Sequence, residues 1–161
     1  MTWTPRAVLA VALCLSLAAC QTPSGSSSSS GSSSSSSSSS EPAADWQEVV
    51  KSDTQQVFID VSSLHKVGDA GDVVEASAKT NFASPMMTAG SKPYLSAHNV
   101  YRLDCTQRKV AMKSIQAYAE TDLQGKVLQK ANFYDNNLQW MDAPTDTVFA
   151  HMIDFACKHA G

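Results

Sequence analysis

Cysteine and histidine carry most of the reactive chemistry open to this 161-residue chain, and it has four of each. The cysteines are Cys14, Cys20, Cys105 and Cys157; the histidines are His65, His98, His151 and His159. A catalytic thiol needs a base beside it, and a zinc site needs several such ligands at short spacing. Neither pattern stands out. His151 and Asp154 are at i, i+3, but on a helix surface that spacing reads as a solvated pair. Asp60 and Asp104 fall at the ends of expected strands, where capping and turn roles outweigh general acid–base work. The sequence has no glycine-rich phosphate loop, no nucleophile elbow and no zinc-binding histidine pair. No catalytic residue, metal ligand or cofactor is assigned, and the chain is read as a non-enzyme.

The first two cysteines belong to an export signal. Arg6 supplies a minimal positive start, and an apolar run follows from Ala7 to Ala19. About 13 residues suit a signal peptide and fall short of the ~20 that cross a bilayer. Leu17-Ala18-Ala19-Cys20 resembles the lipobox of bacterial lipoproteins. The resemblance implies removal of residues 1–19 as a signal peptide, a thioether-linked diacylglycerol on Cys20 and a palmitate-type acyl group on the new N-terminus. Cys14 is no rival, because Leu13 before it is too large. Gln21, where an aspartate would retain a lipoprotein in the inner membrane, favours the outer membrane. Several acyl chains at ~0.8 kcal/mol per buried CH₂ make such anchoring effectively permanent.

Residues 24–40 are serine broken only by Gly25 and Gly31. Such a tract has nothing apolar to bury against the entropy of ordering its backbone. Residues 20–44 therefore read as a lipidated cysteine and a low-complexity linker, spanning roughly 25–30 Å as a coil. One domain follows, 45–161, large enough to bury a core. The formal charge of −3 becomes about −4 once Arg6 is removed, and the lysines are scattered. No basic stripe is present, so no nucleic-acid partner is expected.

The domain reads mostly as strands. Trp46–Lys51 and Gln55–Asp60 flank a Ser52-Asp53-Thr54 turn, and Asp60 is positioned to cap a helical turn through Leu64. Val74, Ala76, Ala78, Thr80 and Phe82 alternate with Glu75, Ser77, Lys79 and Asn81. Proline, glycine and serine mark 83–92 as a loop. Its Met86-Met87 pair is expected to pack down onto the sheet, with an adaptable contact surface as the other reading. From Tyr94 to Cys105 the chain alternates again, with Asn99 the polar exception on the face of Leu95, Ala97, Tyr101 and Leu103. Arg108–Tyr118 alternates poorly, which suggests a bulge or two-sided burial. Lys126–Phe133 is a further strand. Thr145 is a plausible cap for a helix over 146–158, whose apolar face carries Phe149, Ile153 and Cys157. Trp46 and Trp140 are expected in the core. In an exported domain the remaining even pair, Cys105 and Cys157, is expected to form a disulfide that clamps helix to sheet. Closing a loop of about 50 residues is worth roughly 4 kcal/mol in the chain-entropy picture.

Several landmarks together resemble the surface-adhesin protein E family. They are Asp45-Trp46; Phe58-Ile59-Asp60 followed by Ser62-Ser63-Leu64; Tyr94 and Ser96 before Val100-Tyr101-Arg102-Leu103-Asp104-Cys105; Lys113-Ser114 and Tyr118; Trp140 before Pro144; and Phe155-Ala156-Cys157. Phe58 stands where the family usually has tyrosine, and Ala117 where a second aromatic is common. The resemblance implies an α+β fold: an antiparallel sheet of about six strands with a C-terminal helix packed on it and held by a disulfide. It also implies a non-catalytic, adhesin-like lipoprotein that binds host matrix or plasma proteins such as vitronectin and laminin. No binding residue carries over, because the family's binding segments are poorly fixed. The alternative is a periplasm-facing accessory lipoprotein, such as an enzyme inhibitor or an envelope assembly factor.

Overall fold

The computed structural model describes residues 43–68 and 71–161. The expected signal peptide, the expected lipidation site Cys20 and the serine tract lie outside the described residues. Eight strands and one helix run in the order β1 (Trp46–Lys51), β2 (Gln55–Asp60), β3 (His65–Val67), β4 (Val73–Met87), β5 (Pro93–Asp104), β6 (Lys109–Tyr118), β7 (Val127–Asn132), β8 (Trp140–Asp142) and α1 (Val148–His159). All pair antiparallel in one sheet, ordered β1-β2-β4-β5-β6-β7, with β3 on β4 and β8 on β6.

The expectation of about six strands is thus corrected to eight, because two of six lanes are split. β4 is 15 residues long and its partner β2 only 6. A short 3₁₀ turn, Val61–Ser63, interrupts the lane, and β3 resumes it. In the gap the Ser63 hydroxyl accepts from Ser77 N–H, so no ladder donor is left bare. On the other side β7 pairs with the end of β6 from Ser114 to Tyr118, and β8 with its start from Lys109 to Ala111.

Two boundaries also move. The loop expected over 83–92 is strand as far as Met87, and only Thr88–Lys92 turns the chain. The ladder steps from Asn81↔Ser96 to Met86↔Tyr94, so Phe82 to Pro85 bulge out opposite Leu95. Pro85 has no N–H to offer a ladder, and the bulge asks for none. The helix is capped by Thr147, not Thr145; its hydroxyl accepts from Ala150 N–H at 3.2 Å. Asp146 sits at φ 64°, a left-handed conformation that blocks an earlier start. The poor alternation of β6 is a bulge: Val100 pairs with Ser114 but Tyr101 with Met112, leaving Lys113 over.

One face of the sheet carries the core. Ile59, Val74, Leu103 and Val110 meet Met152, Ile153 and Ala156 of the helix. Ala76 and Ala78 are fully buried, and these small side chains let α1 approach β4 closely. Tyr101 meets Phe149 edge-on at 5.9 Å. Cys105 and Cys157 are joined by a disulfide across a Cα separation of 5.9 Å, tying the last helical turn to the end of β5.

Candidate binding surface

The face turned away from the helix is assembled by the same alternation. Phe58, Lys79 and His98 lie in one cross-strand row. Lys79 Nζ is 4.5 Å from the centre of the Phe58 ring and 5.7 Å from that of Trp46. Trp46 also meets His98 edge-on at 6.1 Å. It is therefore half-buried on this face and outside the core cluster where it was expected. Burial pushes the His98 imidazole below its ordinary value, with the Asp60 carboxylate opposing.

The charges here are mostly paired. Glu75 Oε2 sits 2.7 Å from Arg102 Nε and 3.0 Å from Lys113 Nζ. The Arg102 Nε–H points off that line, so the contact is an ion pair without a linear hydrogen bond. Asp135 reaches Arg102 at 3.4 Å and Lys113 at 3.6 Å. Asp122 accepts from Asn81 and from Lys79, and those bonds hold its carboxyl below the usual range. Two loop carboxylates thus pin the segments that flank this face.

What is left unsatisfied is apolar, and much of it gathers at the split lane. Between β7 and β8 the chain leaves the sheet where Lys113 bulges, and Phe133 N–H donates to Lys113 C=O. A 3₁₀ turn, Asp135–Asn137, follows, held by Asp135. This segment presents Phe133 (42% exposed), Tyr134 (83%), Trp140 (43%) and Met141 (47%). Trp140 was expected in the core; pairing with Ala111 at a lane end leaves its ring outside. Met86 and Met87 are also exposed rather than packed down, because β4 runs on past the bulge. Phe133 and Tyr134 were missed from sequence. The available signal was an aromatic pair directly before the Asp135-Asn136-Asn137 turn.

The other candidates have structural roles. Asp60 accepts from Ser62 N–H, Ser62 O–H and Asp45 N–H, and Asp104 from Thr106 and Gln107 N–H. Asp154 pairs with Arg108 at 2.6 Å rather than holding a metal with His151. His65 lies 3.9 Å from Glu75, and His159 stacks on Phe155. Among the described residues no three His, Cys, Asp or Glu converge as a metal site. No described helix is long and apolar enough to cross a membrane.

The profile of the Surface-adhesin protein E family matches residues 46–158. Haemophilus influenzae protein E shares the fold: one crystal structure is 18% identical over 72% of this chain and 86% of its own, with a TM-score of 0.52. A second crystal form is 17% identical over 72% and 89%, with a TM-score of 0.54. No curated protein matches the chain in sequence. With a disulfide-clamped helix on one face, an open second face and a family match that spans the folded region, the chain belongs to the Surface-adhesin protein E family.

Proposed function

We propose that this chain is a surface adhesin, tethered to the outer membrane through a lipidated Cys20 and a serine linker, and non-catalytic. Its ligand is a host matrix or plasma protein. The observation that carries this reading, beyond family membership, is the exposed aromatic segment at the split edge. Tyr and Trp dominate the energetics of protein interfaces, because each buries a large area at small entropic cost. Here Tyr134 and Trp140 are held by a turn whose carboxylate is pinned to Arg102 and Lys113, so the segment is preorganised for contact.

The test is binding of the mature protein to immobilised vitronectin and laminin. The wild type should bind at least one of them. Tyr134→Ala with Trp140→Ala should weaken that binding tenfold or more while leaving the melting temperature unchanged. Failure of the wild type to bind either would sink the ligand class; unchanged binding by the double variant would move the site elsewhere. Anchoring is tested apart: Cys20→Ser should abolish fatty-acid labelling and release the domain from membranes. Protease should shave the domain from intact cells, and full protection would end the surface reading.

A further inference from the structure

A cavity of about 480 Å³ opens between the inner face of the sheet and the first turn of α1. Its size lies within the range of small-molecule sites. Two edge-on aromatic pairs line it, Phe82 with Tyr94 at 5.6 Å and Tyr101 with Phe149 at 5.9 Å. Gln55 and Phe82 also border two neighbouring hollows, so the mouth lies at their end. No Asp, Glu, Lys, Arg or His lines the cavity.

The polar side chains in its wall divide by what already satisfies them. Thr147 is engaged twice: its hydroxyl donates to Pro144 C=O at 2.7 Å and accepts from Ala150 N–H at 3.2 Å. Asn99 Oδ1 is sealed from the cavity and takes no part. Gln55, and Tyr94 against Phe82, are half-buried toward the mouth. Thr80 and Tyr101 are each 6% exposed, and among the described residues neither hydroxyl has a hydrogen-bond partner. Neither is sealed as Asn99 Oδ1 is, so both open onto the cavity that their side chains line.

Tyr101 is the one that a purely structural account leaves over. A phenylalanine would pack the same ring against Phe149 at no polar cost, whereas a buried hydroxyl without a partner is destabilising. Burial, with Tyr94 close by, pushes the Tyr101 hydroxyl up to about 12, so it stays a neutral donor. A phenol donates more strongly than an aliphatic hydroxyl and stands farther from the sheet, which makes Tyr101 rather than Thr80 the anchor.

We propose that this cavity binds a small uncharged molecule whose apolar, ring-sized body packs against the two aromatic pairs and whose carbonyl oxygen accepts from the Tyr101 hydroxyl. A cation is disfavoured by the positive end of α1, which contributes Thr147 and Val148. A carboxylate would lose its water with no basic side chain in the wall to offset that, and Asp146 stands directly before the helix cap. None of the exposed edge residues Phe133, Tyr134, Trp140 and Met141 lines the cavity, so the inference stands apart from the adhesin reading.

The probe is 2-acetylnaphthalene, titrated into the purified mature protein and followed by its fluorescence and by backbone amide shifts. It should saturate one site and shift Thr80, Tyr94, Tyr101 and Phe149. Tyr101→Phe keeps the ring and removes only the hydroxyl. That variant should bind the ketone about fivefold more weakly, the worth of one neutral hydrogen bond, with no fall in melting temperature. Its affinity for 2-isopropylnaphthalene, which has the same shape and no acceptor, should not change. Thr80→Val should leave the affinity for the ketone nearly as it was, and the anion 2-naphthoate should bind the wild type more weakly than the ketone does. No saturable binding of the ketone overturns the proposal. So do shifts confined to residues outside the cavity, or naphthoate binding as tight as the ketone; these three are read on the wild type and need no variant to fold. An equal loss of ketone and hydrocarbon in Tyr101→Phe, or a loss in Thr80→Val that Tyr101→Phe does not share, overturns it as well.

Discussion

On the helix side of the sheet Ile59, Val74 and Leu103 are wholly removed from water, whereas on the split lane of the same sheet Tyr134 keeps 83% of its surface exposed. Both regions are built from strands rich in apolar and aromatic residues. The difference lies in what crosses over them. α1 is amphipathic and is fastened at its last turn by Cys157, so each fully buried Val, Leu, Ile or Met beneath it is worth ~1.5–3 kcal/mol to the fold. Nothing among the described residues crosses the β7–β8 segment, and its aromatic side chains keep from 42% (Phe133) to 83% (Tyr134) of their surface exposed. Stability has been concentrated on one face and contact chemistry left on an edge.

Breaking the clamp should produce the largest effect. A 12-residue helix is marginal in water by itself. Replacing Cys105 and Cys157 by serine should cost roughly 2–5 kcal/mol, the usual range for small exported domains. Hydrogen exchange should show protection lost first from Val148–His159, while β5 keeps its own. Uniform loss across sheet and helix would mean that the bond acts on the whole domain rather than as a local clamp. In either case the edge segment at 133–141 should be the least protected before the change and the least altered by it.

How far the sequence foretold this division depends on length scale. Val73–Phe82 was legible because ten residues of strict alternation admit one reading. The disulfide was legible because the expected loss of Cys14 with a signal and lipidation of Cys20 leave Cys105 and Cys157 as a pair, and the structure joins them. β3 and β8 were not, since three residues carry no periodicity; they exist because long neighbours offer unfilled edges. The helix start was misplaced by the left-handed backbone at Asp146, which tertiary structure imposes. Trp140 was misread for a related reason: an aromatic residue in a strand signals core only if its lane is covered. Asn99 was visible as an exception in its strand, but nothing in the spacing foretold that its side-chain oxygen lies buried without a partner.

Glu75 connects the two regions and offers a smaller perturbation. Its carboxylate faces Arg102 and Lys113, and both of those reach on to Asp135 in the exposed turn. Glu75→Gln keeps the shape and removes the charge. Arg102 then remains half-buried with only the longer 3.4 Å contact to Asp135. The loss should be about 1–2 kcal/mol, the value of a charged hydrogen-bonding partner discounted for partial exposure. Urea unfolding should show a lower midpoint at an unchanged slope, and exchange should quicken at 133–137. If the turn were unaffected, the preorganisation of the edge would owe nothing to the sheet's charges.

The smallest expected effect is a pH dependence seated at His98 on the open face. Burial lowers its folded pKa, and Asp60 only partly opposes that. The unfolded chain, with the ordinary value of about 6.5, therefore binds a proton before the folded chain does. In that window the unfolded state holds more protons, so stability must rise with pH. The contribution is fully present above about pH 6.5. It is lost as pH falls from there through the lower folded value. The depressed carboxyls of Asp122 and Asp154 add a loss of the same sign, but at lower pH, in the carboxylate range. Comparing unfolding at pH 7.5 and pH 5.5 separates the two. His98→Gln should flatten the change between those values and leave the steeper fall below pH 4 intact. Proton shifts of the His98 ring read the same quantity directly, and a midpoint above that of free histidine would show that Asp60 outweighs burial and reverse the sign.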